Sequence, residues 1–116
     1  MTLKEARIQF TENIALLILN MKKNGFRPAL AEGMDRLTTK DPTTDHMKNG
    51  LHSIGLAQDI DLYDSNGKYL ARTEDHYQFG KYWETLDPNC RWGGRFSMPD
   101  GNHYSFAPKE IVGNRA

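Results

Sequence analysis

Cysteine is almost absent: Cys90 is the only one in 116 residues. No internal disulfide is possible, and no cysteine-rich zinc cluster can form. A chain of this size without disulfides suits synthesis in a reducing compartment. Cys90 is expected to be a partly buried bystander thiol rather than a nucleophile. Net charge is absent too, with fifteen Lys and Arg against fifteen Asp and Glu. No global basic field is available to hold a polyanion, which argues against a nucleic-acid partner. Long apolar runs are also missing. The run over 14–19 is far too short to cross a bilayer, and Glu5 and Glu12 interrupt any signal-peptide pattern at the N-terminus. Neither a membrane partner nor a signal peptide is expected. With no repeat, low-complexity tract or linker, the expectation is a single domain over 1–116, acting as a monomer.

What is present begins with an amphipathic helix over 2–24. Leu3, Ala6, Phe10, Ile14, Leu17, Ile18 and Met21 recur at three- and four-residue steps. Thr2 with Glu5 makes a capping box, Lys22 and Lys23 suit the last turn, and Gly25 suits the position after it. Pro28 restricts 26–34 to a short edge segment. Residues 38–50 carry loop chemistry. A strand is expected over 54–63, a turn at Asp64-Ser65-Asn66-Gly67, and a hairpin return over 68–71. A helix is expected over 74–86, and short strands over 91–96 and 103–106 around a Pro-Asp-Gly-Asn turn. This order predicts an α+β domain with a small antiparallel β-sheet and flanking helices.

The stretch LHSIGLAQDIDL, residues 51–62, places His52, Asp59 and Asp61 among residues suited to burial. Charged groups are rarely buried without a partner. His52 and Asp59 are seven apart, which on one continuous strand would put them on opposite faces. A bend at Gly55 lets His52 sit before the strand and Asp59 on it, so that both reach one point. Ala57, Asp59 and Asp61 then share one face, and Leu56, Ile60 and Leu62 supply the core from the other. Downstream, Asp100 and His103 lie three apart across a turn. Two histidines and one aspartate form a legitimate three-ligand zinc set that leaves a fourth position open for water. Asp100 remains as a general base. The plainer alternative is histidines hydrogen-bonded at strand ends and aspartates on a solvated edge.

These residues resemble the zinc-dependent D-alanyl-D-alanine carboxypeptidase and L-alanyl-D-glutamate endopeptidase family, which includes small phage endolysins. The family pattern S-x-H-x-x-G-x-A-x-D followed by D-x-x-H is similar to 50–59, GLHSIGLAQD, and 100–103, DGNH. LAQDIDLYDSNGKYL, GKYWETL and RWGGRFSMPDGNHYSF also look like the phage branch, so the likeness spans about 32–106. The resemblance implies a hedgehog/DD-peptidase-like zinc peptidase fold. It implies His52, Asp59 and His103 as Zn2+ ligands and Asp100 as the catalytic carboxylate. It also implies an upstream arginine that binds substrate carbonyl or carboxylate; Arg36 fits that place, with Arg27 as the rival. One departure is Gly50, where the family has serine; Thr43, Thr44 or Ser53 would have to supply a substitute hydroxyl.

The implied substrate is the stem peptide of bacterial peptidoglycan, cut between L-Ala and D-Glu. A carboxypeptidase removing terminal D-Ala, or an inactive zinc-containing cell-wall binding module, are the alternatives. The enzyme would collect in the host cytoplasm until lysis and then reach the wall. Asp61 is a candidate for orienting a ligand imidazole, Trp83 for the core, and Trp92 for either a cleft wall or the core. His46 and His76 are expected at the surface.

Overall fold

The computed structural model describes residues 1–31 and 50–113. Helix α1 (Leu3–Lys23) starts where local chemistry says it should. The Thr2 hydroxyl accepts from the Glu5 amide at 3.1 Å, and the Glu5 carboxylate accepts from the Thr2 amide at 2.8 Å. The buried stripe is Ala6, Phe10, Asn13, Leu17 and Met21. Leu3 is exposed, and Ile14 and Ile18 pack only at the rim of the core. A polar residue thus takes a place expected to be apolar. Asn13 is buried because its side-chain amide donates to the Cys90 thiol at 3.5 Å. Cys90 itself is buried, and burial pushes its thiol up to about 12, so it is inert near neutral pH.

Four strands form one antiparallel sheet: β1 (Arg27–Leu30), β2 (Ala57–Tyr63), β3 (Cys90–Trp92) and β4 (His103–Phe106), in spatial order β1-β2-β4-β3. Pro28 sits on an edge strand, where its missing N–H does no harm. β2 pairs β4 through residues 57–59 and pairs β1 through 60–63. The expected hairpin return shrinks to one bridge, Tyr63 with Tyr69, plus a Leu70 amide bond to the Leu62 carbonyl. The strand expected over 91–96 ends at Trp92, where a 3-10 turn (Gly93–Arg95) takes over. The helix expected over 74–86 is a 3-10 turn (Thr73–His76) leading into α2 (Tyr77–Leu86). A last short helix, α3, spans Lys109–Val112. No helix among the described residues is long and apolar enough to cross a membrane.

The core lies between the sheet and the helices α1 and α2. Trp83 of α2 is fully buried, with edge-on contacts to Phe10 and Tyr104, each 5.9 Å between centroids. Its indole N–H donates to the carbonyls of Arg91 and Ser105, both at 3.0 Å, tying α2 to β3 and β4. Trp92 also belongs to the core, at 3% exposure. Its indole lies between Gly80 and Gly94, where added Cβ atoms would come within 2.1 and 2.3 Å of the ring.

His76 is not the surface residue its polar neighbours suggest. It is 2% exposed, and its Nδ1 shares a 2.8 Å hydrogen bond with the Tyr104 hydroxyl. Burial lowers its pKa to about 4. A histidine depressed in the folded state contributes stability above its unfolded pKa and loses it as pH falls. Between roughly pH 6.5 and 4, wild type should therefore lose stability faster than His76→Gln, by on the order of 3 kcal/mol at most. Urea midpoints of the two proteins across that window check this; parallel curves would refute it.

Candidate metal centre

Asp59 and His103 face each other directly across the β2–β4 pair. Residues opposed in this way have Cβ atoms about 4.5–5.5 Å apart, so their side chains can meet. The Asp59 backbone is held from both sides. Its carbonyl accepts from the Ala31 amide at 3.0 Å, and the next amide, Ile60, donates to the Asn102 carbonyl at 2.8 Å. His52 arrives from a 3-10 turn (Leu51–Ile54) anchored by buried Leu51. Gly55 ends that turn in the left-handed region at φ 77°, where a side chain would be strained; a Cβ there would also meet Arg7 Nε at 2.9 Å. The bend read from the sequence is therefore present, and it brings His52 to the same point as Asp59.

The three side chains converge closely. Asp59 Oδ1 lies 3.3 Å from His52 Nε2 and 3.3 Å from His103 Nδ1, and the two nitrogens are 3.2 Å apart. Nitrogen and oxygen ligands held at about 2.0–2.1 Å in tetrahedral geometry sit about 3.3 Å from one another. The triangle thus has the edge length of a tetrahedral metal site. The two ring nitrogens are close enough to share a hydrogen bond, while Asp59 Oδ1 is buried without one among the described residues. Both imidazoles are near enough to that oxygen for ion pairing. Burial would raise the Asp59 carboxyl, yet His103 and His52 outweigh it and hold the group well below the usual carboxylate range. A carboxylate that stays ionised beside two imidazoles can hold a metal ion, and these three residues form such a group.

His103 is delivered by a tightly tied segment. The Gly93 carbonyl accepts from the amides of Phe96 at 3.1 Å and Asp100 at 2.9 Å, and the Asp100 carbonyl accepts from the His103 amide at 3.1 Å. A Cβ on Gly93 would come within 2.1 Å of the Asp100 carbonyl oxygen and 2.7 Å of His103 Cβ. The Trp92 indole N–H donates to the Gly101 carbonyl at 2.7 Å, and Thr73 packs against Gly101 from the other side. The side chain of Asp100 is exposed on this turn and is not one of the three convergent ligands. The Phe96 ring lies against the His103 imidazole, 5.2 Å between centroids. Phe96 was not legible as a site residue, since no spacing rule links it to His103.

Other expected residues fall elsewhere. Arg36, Thr43, Thr44 and His46 lie outside the described residues. Arg27 stands opposite Tyr63, four residues along β2 from Asp59, or about 13 Å at the usual strand rise. Ser53 donates its hydroxyl to the Gly50 carbonyl at 2.7 Å, closing the turn that carries His52. Asp61, two residues past Asp59 on β2, accepts from the Tyr69 hydroxyl at 3.4 Å.

Titration of metal-free protein with a divalent first-row ion such as Zn2+ should show one ion bound per chain. At a free ion concentration 100 times Kd, binding should raise unfolding stability by about 2.7 kcal/mol. Asp59→Ala should weaken affinity by more than the roughly 10–100-fold typical of losing an outer partner. Calorimetry reads both, and unchanged affinity in the variant would refute the assignment.

No protein-family model matches the chain, and no curated protein matches it.

Proposed function

We propose that this chain is a zinc-dependent peptidoglycan hydrolase that cuts the L-Ala–D-Glu bond of stem peptides, as small phage endolysins do. The observation that carries the reading is the His52–Asp59–His103 triangle, with 3.2–3.3 Å edges and a buried Asp59 oxygen that lacks a hydrogen bond among the described residues. It stands on the two sequence motifs that resemble that peptidase family. Two imidazoles and one carboxylate suit zinc, and three protein ligands leave a fourth position open, the pattern of catalytic rather than structural sites.

Zinc, when bound, would polarise the scissile carbonyl and bring the pKa of its water toward neutrality. In this reading Asp100 accepts the proton of the attacking water and then delivers it to the leaving amine. Its exposure and its place outside the ligand triangle support that role. The turn around Gly93 would keep Asp100 in register with His103 through the cycle. Arg36 is assigned to the developing oxyanion. The enzyme would act on the wall after release from the host cytoplasm.

Purified peptidoglycan incubated with zinc-loaded protein should yield, by mass spectrometry, a product with a newly exposed D-Glu amine, and a chelator should abolish it. Loss of terminal D-Ala alone would make the protein a carboxypeptidase using the same site. Asp100→Asn should lower kcat by about 10²- to 10⁴-fold while zinc affinity stays within a few-fold. A variant with unchanged function would instead point to a cell-wall binding module.

A further inference from the structure

Phe96 is a large apolar side chain with no place in the core. It is half-buried, and it belongs neither to the buried cluster nor to the hydrophobic side chains packed against that cluster. Its ring lies against the imidazole of His103, tilted by 55°. Its position is fixed from behind, because its amide hangs from the same Gly93 carbonyl oxygen that holds the Asp100 amide. The loop between them, 97–99, is exposed and carries Met98, at 84% the most exposed of the large hydrophobic side chains among the described residues. Phe96 leaves apolar surface in water beside His103, where an apolar group of a ligand can be buried. Here that surface touches one metal ligand and shares its anchor with the proposed base.

We propose that Phe96 is a specificity-determining wall of the substrate site, receiving the small apolar side chain on the acyl side of the scissile bond. The inference rests on the hydrolase reading above. In the endopeptidase version that side chain is the methyl of L-Ala; a carboxypeptidase would present the methyl of D-Ala, which projects from the opposite side of its Cα. A phenyl face beside the reacting carbonyl gains from burying a methyl group and gains nothing from glycine. It also excludes water from the His103 side of the centre.

The test compares two synthetic stem peptides, one with alanine and one with glycine on the acyl side, in zinc-loaded wild type, Phe96→Ala and Phe96→Leu. One methyl group in an apolar pocket is worth roughly 10- to 200-fold in kcat/KM. Wild type should prefer the alanine peptide by at least about 10-fold. Phe96→Ala should bring the ratio close to one, and Phe96→Leu should keep most of it. Zinc affinity, measured by competition with a chromophoric chelator, should stay within about three-fold in both variants, well short of the loss expected on removing a ligand's outer partner. An unchanged alanine-to-glycine ratio in Phe96→Ala overturns the proposal. So does weakened zinc binding with the ratio intact, because the ring would then serve His103 alone. If zinc-loaded wild type cleaves neither peptide, the hydrolase reading fails, and the Phe96 ring protons decide the wall separately. A shift on adding the alanine peptide but not the glycine peptide supports a binding wall; no shift removes it.

Discussion

The antiparallel pairing of β2 with β4 sets Asp59 opposite His103, and the centre is arranged around that register. Strand side chains alternate between faces, so a slip of one residue would turn Asp59 into the core and push Ile60 and Leu62 out of it. Those two residues are fully buried, as are Tyr104 and Phe106 on β4. The hydrophobic core therefore enforces the position of the ligands. Burial of Leu56, Ile60 and Leu62 keeps the strand from sliding, and the Ala31 and Asn102 contacts keep it from twisting away at the site itself. Packing energy of an ordinary kind, about 25 cal/mol per Å² of apolar surface buried, is converted into placement of an ion-binding group.

The second constraint is close approach of backbone. Gly93 stands where any side chain would collide with the Asp100 carbonyl, and Gly80 and Gly94 stand where a Cβ would enter the Trp92 ring. Removing those side chains lets the indole lie flat between two backbones and still reach the Gly101 carbonyl. The turn carrying Asp100 is thus tied at three points: to Gly93, to Trp92 and to His103. Overpacking at Gly80 would displace Trp92, and the displacement would pass through Gly101 to His103. Stability of the core and geometry of the centre are coupled through one indole.

How much of this was legible in the sequence depended on the range of the interaction. α1 was readable almost to its ends, because the Thr2–Glu5 box and the three- and four-residue apolar steps are local signals. The bend before β2 was readable because one glycine, Gly55, suffices to make it. The convergence of His52, Asp59 and His103 was expected from that bend together with a motif. The misreadings all involve partners far along the chain. His76 sits among Thr73, Glu74 and Asp75 and looks solvated; what buries it is Tyr104, 28 residues on. The run Arg91–Phe96 has a strand's composition, but contact with Asp100 and His103 forces it to turn at Gly93. Asn13 interrupts an apolar stripe for the sake of Cys90, 77 residues away. Trp92 offered no sign of whether it lined a cleft or filled the core until Gly80 of α2 was packed on it.

The geometry of the centre also bears on how it would be filled. Three ligand atoms that already stand at tetrahedral edge length need little rearrangement when an ion enters. The ordering entropy has been met during folding, by β2, β4 and the turn at Gly55. The charge balance points the same way. A carboxylate at 16% side-chain exposure between two imidazoles is a poorly satisfied arrangement without a cation, since Asp59 Oδ1 lacks a hydrogen bond among the described residues. A buried acceptor in that condition costs roughly 1–3 kcal/mol, and a divalent ion relieves the cost while the imidazoles give up any shared proton. The fold therefore carries a small local penalty at a point where an ion can remove it. The same three side chains can thus hold a metal ion at a point where the carboxylate's hydrogen bonding is incomplete among the described residues.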